Sequence, residues 1–350
     1  MILVFLIALI SWSVSLVLTG IVRTVSLRIG LLDRPNSRSS HNLPTPRSGG
    51  VAFIAASELG VVLAVFAKLV EPREAIVFGI GMLVLAAVGL VDDVHGVGAG
   101  LRLCVHIAVA SWTVYMFHGL PLIQIGSESL AVGKLGYFLG ILGISWSINL
   151  FNFMDGIDGL AGSQAVLILG TIALLLFWRG DTPLGTIALI FGVSAAGFLP
   201  WNWPPAKIFM GDVGSGVIGY AVAALAIASE NNGSIPLLAF VIASGLFIAD
   251  ATVTLLRRQA RGERPAEAHR EHAYQRLARD WGSHRRVTAT AAAVTTLLGV
   301  LAAVGSVEHG LLLPALCAAC IIVGASLITI ERRAPMRSVV ASREPPRGPS

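Results

Sequence analysis

Long apolar runs separated by short polar segments dominate the chain. A membrane-spanning helix needs roughly 20 predominantly apolar residues to cross about 30 Å of hydrocarbon, and eleven runs of about this length occur along the sequence. They cover residues 1–22, 51–70, 75–91, 103–118, 135–151, 164–178, 183–200, 213–229, 235–256, 287–305 and 310–330. The pattern predicts an all-α integral membrane protein with about eleven transmembrane helices.

The basic residues between these runs predict the orientation. Of the 25 Lys and Arg residues, 21 fall in alternate segments that start with the one after the first run, and 4 fall in the others. Lys and Arg concentrate in cytoplasmic loops, so we expect a periplasmic N-terminus and a cytoplasmic C-terminus. We expect a single membrane domain over 1–330 and a disordered cytoplasmic tail over 331–350. The alternating outer loop 118–134 favours a small β-hairpin.

The composition agrees with this architecture and excludes one class of function. The chain is 55% hydrophobic and 13% charged, with a mean hydropathy of +0.78, whereas soluble domains have about 25% charged residues. The formal net charge of +5 follows from the loop asymmetry. Because no soluble domain carries a continuous basic face, we expect no nucleic-acid partner. Cys104, Cys317 and Cys320 lie in apolar runs, where we interpret them as inert.

The inner segments contain nearly all the unusual polar residues. Five of them, 31–50, 91–102, 152–162, 201–216 and 263–286, are far apart in sequence but meet on one predicted membrane face. We therefore expect one site, on the cytoplasmic face, built from the ends of several helices.

Adjacent carboxylates close the third run. Asp92 and Asp93 repel each other at a helix C-terminus, where the dipole is also negative. A nearby cation is expected, either Mg²⁺ or a basic residue such as Arg102. The alternative is a pair of solvated loop aspartates.

The segment "NFMDGIDGLAG" (152–162) carries a polar stripe. Asn152, Asp155 and Asp158 recur every three residues and would share one helical face, while the glycines between them let a ligand approach the backbone. Such oxygen donors suit Mg²⁺. A structural glycine-rich turn is the alternative.

The segment "FMGDVGSG" (209–216) opens the eighth run. Asp212 and the following glycines lie at a helix N-terminus, which suits phosphate, and Phe209 has a ring that can stack on a flat base. A helix cap with a core phenylalanine is the alternative interpretation.

The segment "AHREHAYQRL" (268–277) places His269 and His272 on one helical face. With Arg270 beside them, phosphate binding is favoured over zinc. Arg38, His41 and Arg47 of the first inner loop could contact a phosphate or only enforce the orientation. Asp250 lies inside the ninth run, where an ionisable residue is expected to be functional or paired, and Arg257 is the candidate partner.

These features converge on phosphate chemistry assisted by a divalent cation, with a lipid as one reactant. A transporter would carry its ionisable residues near the membrane midplane at inverted repeats, whereas the polar residues here gather on one predicted membrane face. An intramembrane aspartate-rich prenyltransferase would show two D-x-x-D-type motifs, but "DGID" is the only one here.

Four motifs carry a family resemblance. "GLVDD", "NLFNFMDGIDGLAG", "FMGDVGSG" and the H-x-x-H segment occur in this order between about residues 30 and 285. The chain resembles the polyprenyl-phosphate N-acetylhexosamine-1-phosphate transferases, of the same superfamily as the phospho-MurNAc-pentapeptide transferase. Eleven spans look like the branch that acts on UDP-GlcNAc or related UDP-sugars, and the histidine segment looks most like the members that initiate O-antigen synthesis. The muramyl-peptide enzyme is the alternative within the superfamily.

The resemblance implies a reaction in which undecaprenyl phosphate attacks a UDP-N-acetylhexosamine and UMP leaves. It assigns Mg²⁺, with Mn²⁺ as a substitute, to Asp212 and Asn152. It implies that Asp92 and Asp93 are the catalytic pair, with Asp155 near the metal, and that Asp158 and Phe209 bind uracil. It places His269 and His272 near the diphosphate, where we also expect Arg270, Arg102 and Arg47 to bind substrate.

The resemblance also implies a setting. It favours the bacterial inner membrane and the first step of lipopolysaccharide or other surface-polysaccharide assembly, with a homodimer as one option for the assembly state. Two departures from the family pattern concern the site. Gly100 replaces a common lysine, which leaves Arg102 as the nearest cation, and Ser48 interrupts a P-R-G-G-G pattern. The likeness of the histidine segment to the O-antigen-initiating members leaves the sugar open between GlcNAc and a 6-deoxy relative.

Overall fold

A computed structural model describes residues 1–35, 43–263 and 269–336. In this part of the chain nine helices are long and apolar enough to cross a membrane. They are α1 (Ile2–Ile29), α3 (Pro72–His95), α4 (Ala99–Met116), α5 (Leu135–Phe153), α6 (Leu160–Trp178), α7 (Thr182–Asn202), α8 (Asp212–Asn232), α12 (His284–Val307) and α13 (Leu312–Arg333).

Two of the predicted runs are not straight, full-length spans. The ninth run is broken at Ser244 into α9 (Leu237–Ala243) and α10 (Gly245–Ala260), which meet at a 76° bend. The second run forms α2 (Gly50–Phe66), an apolar helix of only 17 residues. A short helix, α11 (Ala273–Trp281), follows α10. The structure confirms the all-α, multi-pass membrane architecture, and the orientation stays a prediction.

Helix α8 is the centre of the bundle. Some 89% of its most apolar window is buried, against 17% for α13 at the periphery. Glycines allow its neighbours to approach closely. A Cβ at Gly219 of α8 would lie 2.2 Å from the carbonyl oxygen of Ser147 in α5. A Cβ at Gly89 of α3 would lie 2.5 Å from the carbonyl oxygen of Asp212. These contacts bring the ends of α3, α5 and α8 together.

Two small hairpins complete the described chain. Strands β3 (Leu122–Ile125) and β4 (Glu128–Ala131) pair antiparallel, which confirms the hairpin expected in the loop 118–134. At the other end of the bundle, β1 (Leu32–Asp33) pairs with β2 (Thr45–Pro46). This second hairpin leads directly into the segment that packs against the start of α8.

Close backbone contacts fix that segment. The N–H groups of Gly49 and Gly50 each donate a 2.9 Å hydrogen bond, to the carbonyl oxygens of Phe209 and Met210 respectively. A Cβ at Gly50 would lie 2.5 Å from the Cα of Gly214, so only glycine fits there. The sequence "RSGG" (47–50) is thereby held beside "FMGDVG" (209–214), although about 160 residues separate them.

Candidate active site

One arginine joins two of the predicted site carboxylates. The Nη1 atom of Arg102, near the start of α4, lies 2.5 Å from Oδ2 of Asp92 and 2.9 Å from Oδ2 of Asp212. The backbone N–H of Val97 also donates to Asp92, at 2.5 Å. The cation that the sequence requires near the aspartate pair is therefore present, and it is Arg102.

Asp93 occupies a different environment from its neighbour. Its side chain is buried, with 4% of the residue exposed. One oxygen accepts a 2.8 Å hydrogen bond from the Ser48 hydroxyl, and the other accepts a 3.1 Å bond from the backbone N–H of Asp212. A Cβ at Gly211 would lie 2.3 Å from the Asp93 carboxylate, so a glycine is required beside it. Asp93 thus connects three elements: the β2–α2 segment, the end of α3 and the start of α8.

The predicted polar stripe lies on a helix end and the turn that follows it. Asn152 belongs to α5, whereas Asp155 and Asp158 lie in the turn between α5 and α6, so the stripe is not helical throughout. The three side chains nevertheless line one cavity of about 230 Å³, together with Phe209 and other predicted residues (Arg47, Asp93 and Asp212). The Nδ2 atom of Asn152 donates to Oδ1 of Asp212 at 2.9 Å.

Negative charge accumulates around Asp155. Burial raises the pKa of Asp155 well above its ordinary value, and the nearby carboxylates of Asp212, Asp93 and Asp158 raise it further. A second cation beside Arg102 would relieve this repulsion.

The donor chemistry fits Mg²⁺, because carboxylate and amide oxygens are its preferred protein ligands. The site is not a preformed cage, however. Among the described residues, no three His, Cys, Asp or Glu side chains are grouped so that they could hold a metal ion. Asp92 and Asp212 face Arg102 instead. The fit to Mg²⁺ therefore lies in the type of donor and in the local charge.

Asp158 and Phe209, the predicted base site, are both held firmly in this cavity. The Asp158 carboxylate accepts a 3.0 Å hydrogen bond from the backbone N–H of Ala206. Its other oxygen lies 3.3 Å from Nδ1 of His284. The N–H of Phe209 donates to the carbonyl oxygen of Pro46 at 2.8 Å. Sequence reasoning missed His284, because its only signal was a lone histidine after the Gly-Ser pair that precedes α12.

The histidine segment differs from the prediction in one respect. Helix α11 begins at Ala273, so His269 precedes it and His272 is its N-cap. The predicted shared helical face is wrong, yet the two rings still lie 4.8 Å apart. Burial, and then the neighbouring charges of His272 and Arg258, lower the pKa of His269 to about 3. His269 is therefore neutral at pH 7.

The two histidines line a second, larger cavity of about 560 Å³. Arg102 and apolar side chains such as Leu142 and Trp146 also line it. Four residues, Asn152, Asp155, Gly156 and Gln275, border both cavities. Trp146 also borders a strongly apolar cavity of about 290 Å³ between α5, α8 and the broken helix. Arg270 is exposed and borders neither of the two polar cavities.

Asp250 has partners other than the expected one. Its carboxylate accepts hydrogen bonds from the backbone N–H groups of Ala273 (2.8 Å) and Tyr274 (3.0 Å) and lies 3.4 Å from Nδ1 of His272. The expected partner, Arg257, instead pairs with Glu331 at 2.7 Å. Asp250 therefore caps α11, and the prediction of an Asp250–Arg257 pair is wrong.

Some predictions fall outside the described residues. Arg38 and His41 do so, and so do residues 337–350 of the expected disordered tail. Helix α13 extends to Arg333, so the first three residues of that expected tail are helical. Glu331 among them accepts a 2.9 Å hydrogen bond from Arg276 of α11.

A multi-pass helical bundle with carboxylates, an arginine and a histidine pair at one end defines a class of membrane protein with a polar site beside lipid. Comparison with known proteins identifies the family. The model of glycosyl transferase family 4 matches residues 75–230.

Three curated relatives extend this match. A probable undecaprenyl-phosphate N-acetylglucosaminyl 1-phosphate transferase of Bacillus subtilis is 30% identical over 77% of this chain and 76% of its own length. The decaprenyl-phosphate N-acetylglucosaminephosphotransferase of Mycobacterium tuberculosis is 31% identical over 77% of this chain and 74% of its own length. The undecaprenyl-phosphate alpha-N-acetylglucosaminyl 1-phosphate transferase of Escherichia coli K12 is 27% identical, with 80% and 78% covered. The chain belongs to this family, the polyprenyl-phosphate N-acetylhexosamine-1-phosphate transferases, as its motifs predict.

Proposed function

We propose that the protein transfers GlcNAc-1-phosphate from UDP-GlcNAc to undecaprenyl phosphate. An oxygen of the lipid phosphate forms a bond to the sugar-linked phosphorus, the bond from that phosphorus to the UMP oxygen breaks, and UMP leaves. The observation that carries this proposal is that a polar cavity and a partly apolar cavity meet at Asn152 and Asp155. Two reactants, one nucleotide-like and one lipid-like, can meet at such a junction. The three relatives are named as N-acetylglucosamine-1-phosphate transferases, which favours GlcNAc as the sugar.

The nucleotide sugar occupies the smaller cavity in this proposal. Phe209 stacks on the uracil, and the Asp158 carboxylate accepts a hydrogen bond from it. Arg47 lines the same cavity and supplies positive charge for the diphosphate. The backbone contacts of Phe209 and Asp158 support this assignment, because a recognition site needs side chains with fixed positions.

The lipid phosphate occupies the larger cavity. His269 can donate a hydrogen bond to a phosphate oxygen, and Arg102 adds a full positive charge nearby. Trp146 connects this cavity to the apolar one between α5 and α8. The polyprenyl chain would follow that route into the bilayer, since hydrocarbon gains from leaving water.

Mg²⁺ is the proposed cofactor, with Mn²⁺ as a substitute, and Asp212 and Asn152 are its proposed ligands. When bound, the ion neutralises developing charge on the phosphates. Two hydrogen bonds hold Asp212 in place for this task. Its carboxylate accepts one from Nδ2 of Asn152 at 2.9 Å, and its backbone N–H donates one to the Asp93 carboxylate at 3.1 Å.

Asp92 has a positioning role in this scheme. The second pKa of a phosphate monoester is near 6, so the lipid phosphate is mostly dianionic at pH 7 and needs little help from a general base. The 2.5 Å contact between Asp92 and Arg102 instead holds the arginine in the wall of the larger cavity, 2.9 Å from Asp212. Preorganised charge of this kind is the main source of catalysis in phosphoryl transfer.

The biological setting is a further part of the proposal. We infer the cytoplasmic face of a bacterial inner membrane, and the product would start O-antigen or another surface polysaccharide. The family membership and the multi-pass architecture support this placement.

The test is an assay of purified protein with Mg²⁺, undecaprenyl phosphate and a panel of UDP-sugars that includes GlcNAc, 6-deoxy relatives and the muramyl pentapeptide. Release of UMP with UDP-GlcNAc is expected. Release with the muramyl pentapeptide alone would assign the alternative reaction of the superfamily. No UMP with any donor would overturn the proposed function.

A further inference from the structure

His284 lies beside Asp158 at the start of α12. Its Nδ1 atom is 3.3 Å from Oδ1 of Asp158 and 3.5 Å from the backbone nitrogen of the same residue. Both side chains border the smaller cavity, as does Phe209. None of the roles described so far uses this histidine.

The contacts around the pair fix its geometry. Thr288, one helical turn after His284, donates a 2.9 Å hydrogen bond to the carbonyl oxygen of Asp158. The N-cap Ser283 accepts a 3.3 Å bond from the backbone N–H of Arg286, which anchors the first turn of α12. On the opposite side, Ala206 holds the second carboxylate oxygen of Asp158. The position of His284 relative to Asp158 is therefore set by the backbone on both sides.

The chemistry of the pair suits one pyrimidine. An ionised carboxylate only accepts hydrogen bonds, so Asp158 suits the N3–H of uracil and repels the N3 lone pair of cytosine. The Nδ1 atom of His284 lies 3.3 Å from the Asp158 carboxylate, to which an Nδ1–H would donate, and 3.5 Å from the backbone nitrogen of Asp158, from which a bare Nδ1 would accept. Nε2 carries a proton in the second arrangement and also when both ring nitrogens are protonated. An Nε2–H group donates to a carbonyl oxygen such as O4 of uracil. Cytosine has an amino group where uracil has O4, and because this group is a donor it does not accept the hydrogen bond from Nε2–H.

We propose that His284 is a base-recognition residue. Its Nε2–H donates to a uracil carbonyl next to the N3–H that Asp158 binds, and the two side chains together select uridine nucleotides over cytidine nucleotides. This inference rests on the proposed function in one respect, because it takes the nucleotide to bind in the cavity that contains Phe209.

Two isosteric substitutions separate the roles of the two ring nitrogens. The amide nitrogen of Gln reaches the place of Nε2, whereas that of Asn reaches only the place of Nδ1. We expect His284→Asn to raise the KM for UDP-GlcNAc about tenfold, which corresponds to about 1.4 kcal/mol, with kcat changed by less than about threefold. We expect His284→Gln to restore most of the loss.

The decisive measurement is the preference for UMP over CMP in direct binding to the purified protein. The preference is expected to fall about tenfold in His284→Asn and to persist in His284→Gln. Arg285→Gln is the matched control, because it changes an exposed neighbour of His284 in the same helical turn and leaves both members of the pair in place. Its UMP to CMP ratio is expected to equal that of the wild type.

Three outcomes would overturn the inference: an unchanged ratio in His284→Asn, an equal loss in Arg285→Gln, or no preference in the wild type. Direct binding does not require turnover. A wild-type protein that prefers UMP through His284 but transfers no sugar would therefore refute the proposed function and leave the base-recognition role intact.

Discussion

The carboxylates at the two ends of α8 have different kinds of partner: backbone groups at the C-terminal end and side chains at the N-terminal end. At its end, Glu230 accepts hydrogen bonds from the backbone N–H groups of Gln124, at 2.6 Å, and Leu237. At its start, Asp212 contacts the side chains of Arg102 and Asn152. Backbone partners cannot leave without distortion of the fold, whereas an arginine or asparagine side chain can rotate toward a ligand. The difference indicates that the end of α8 serves stability and its start serves binding.

The largest expected effect comes from Asp212→Asn. Asp212 is the proposed Mg²⁺ ligand, and its negative charge faces Arg102. The substitution removes this charge but keeps the shape of the side chain. We expect UMP release to fall by about 10²–10³-fold or more, the magnitude typical of a lost electrostatic contact in a transition state. The melting temperature in detergent should change little, and near-normal turnover would contradict the assignment.

A smaller effect is expected from Arg102→Gln. The substitution leaves Asp92 and Asp212 without the guanidinium cation that contacts both carboxylates. We expect turnover to fall by about tenfold to a hundredfold, the scale of one positioned charge. The Mg²⁺ concentration for half-maximal activity should decrease, because the site becomes more negative. A Mg²⁺ titration of activity measures both quantities, and an increased Mg²⁺ requirement would show that Arg102 does not compete with the ion.

Ser48 allows a finer test of the same end of α8. Its backbone has φ 68°, a conformation that costs a non-glycine residue about 1–2 kcal/mol, and its hydroxyl holds Asp93 at 2.8 Å. A hydrogen bond to a charged group contributes about 1.5–3 kcal/mol. Ser48→Gly removes both the strain and the bond, so its thermal stability should stay near that of the wild type.

Ser48→Ala is the matched variant, because it keeps the strain but loses the bond. We expect it to melt at a lower temperature than Ser48→Gly, and we expect both to lose a few-fold in turnover as Asp93 becomes less fixed. Equal melting temperatures would mean that the positive φ carries no cost here.

The difference between the two ends of α8 also shows what the sequence could predict. The apolar runs predicted the spans because hydrocarbon imposes a length, and the inner polar motifs predicted which residues share a site. The arrangement of the partners was not predictable. Arg102 was expected near Asp92 and Asp93, but its contact with Asp212, 110 positions away, was not, and neither was the binding of Asp250 to the backbone of α11. No local pattern encodes contacts between distant segments.

Broken and short elements were missed for a related reason. The 76° bend at Ser244 lies in a continuous apolar run, so hydropathy alone has no signal for it. His284 was missed because a single histidine has no spacing partner in sequence. Its neighbour Asp158 is 126 positions away, and only folding brings the two together.

Glu230→Gln should have the smallest effect on activity. It tests the inference that the C-terminal end of α8 serves stability and not binding. The substitution keeps the shape but weakens two charge-assisted hydrogen bonds to backbone N–H groups of β3 and α9. We expect a loss of about 1–3 kcal/mol in stability, seen as a lower melting temperature in detergent. UMP release at 25 °C should stay within about twofold of the wild type. A large loss of turnover without a change in melting temperature would mean that the end of α8 also takes part in catalysis.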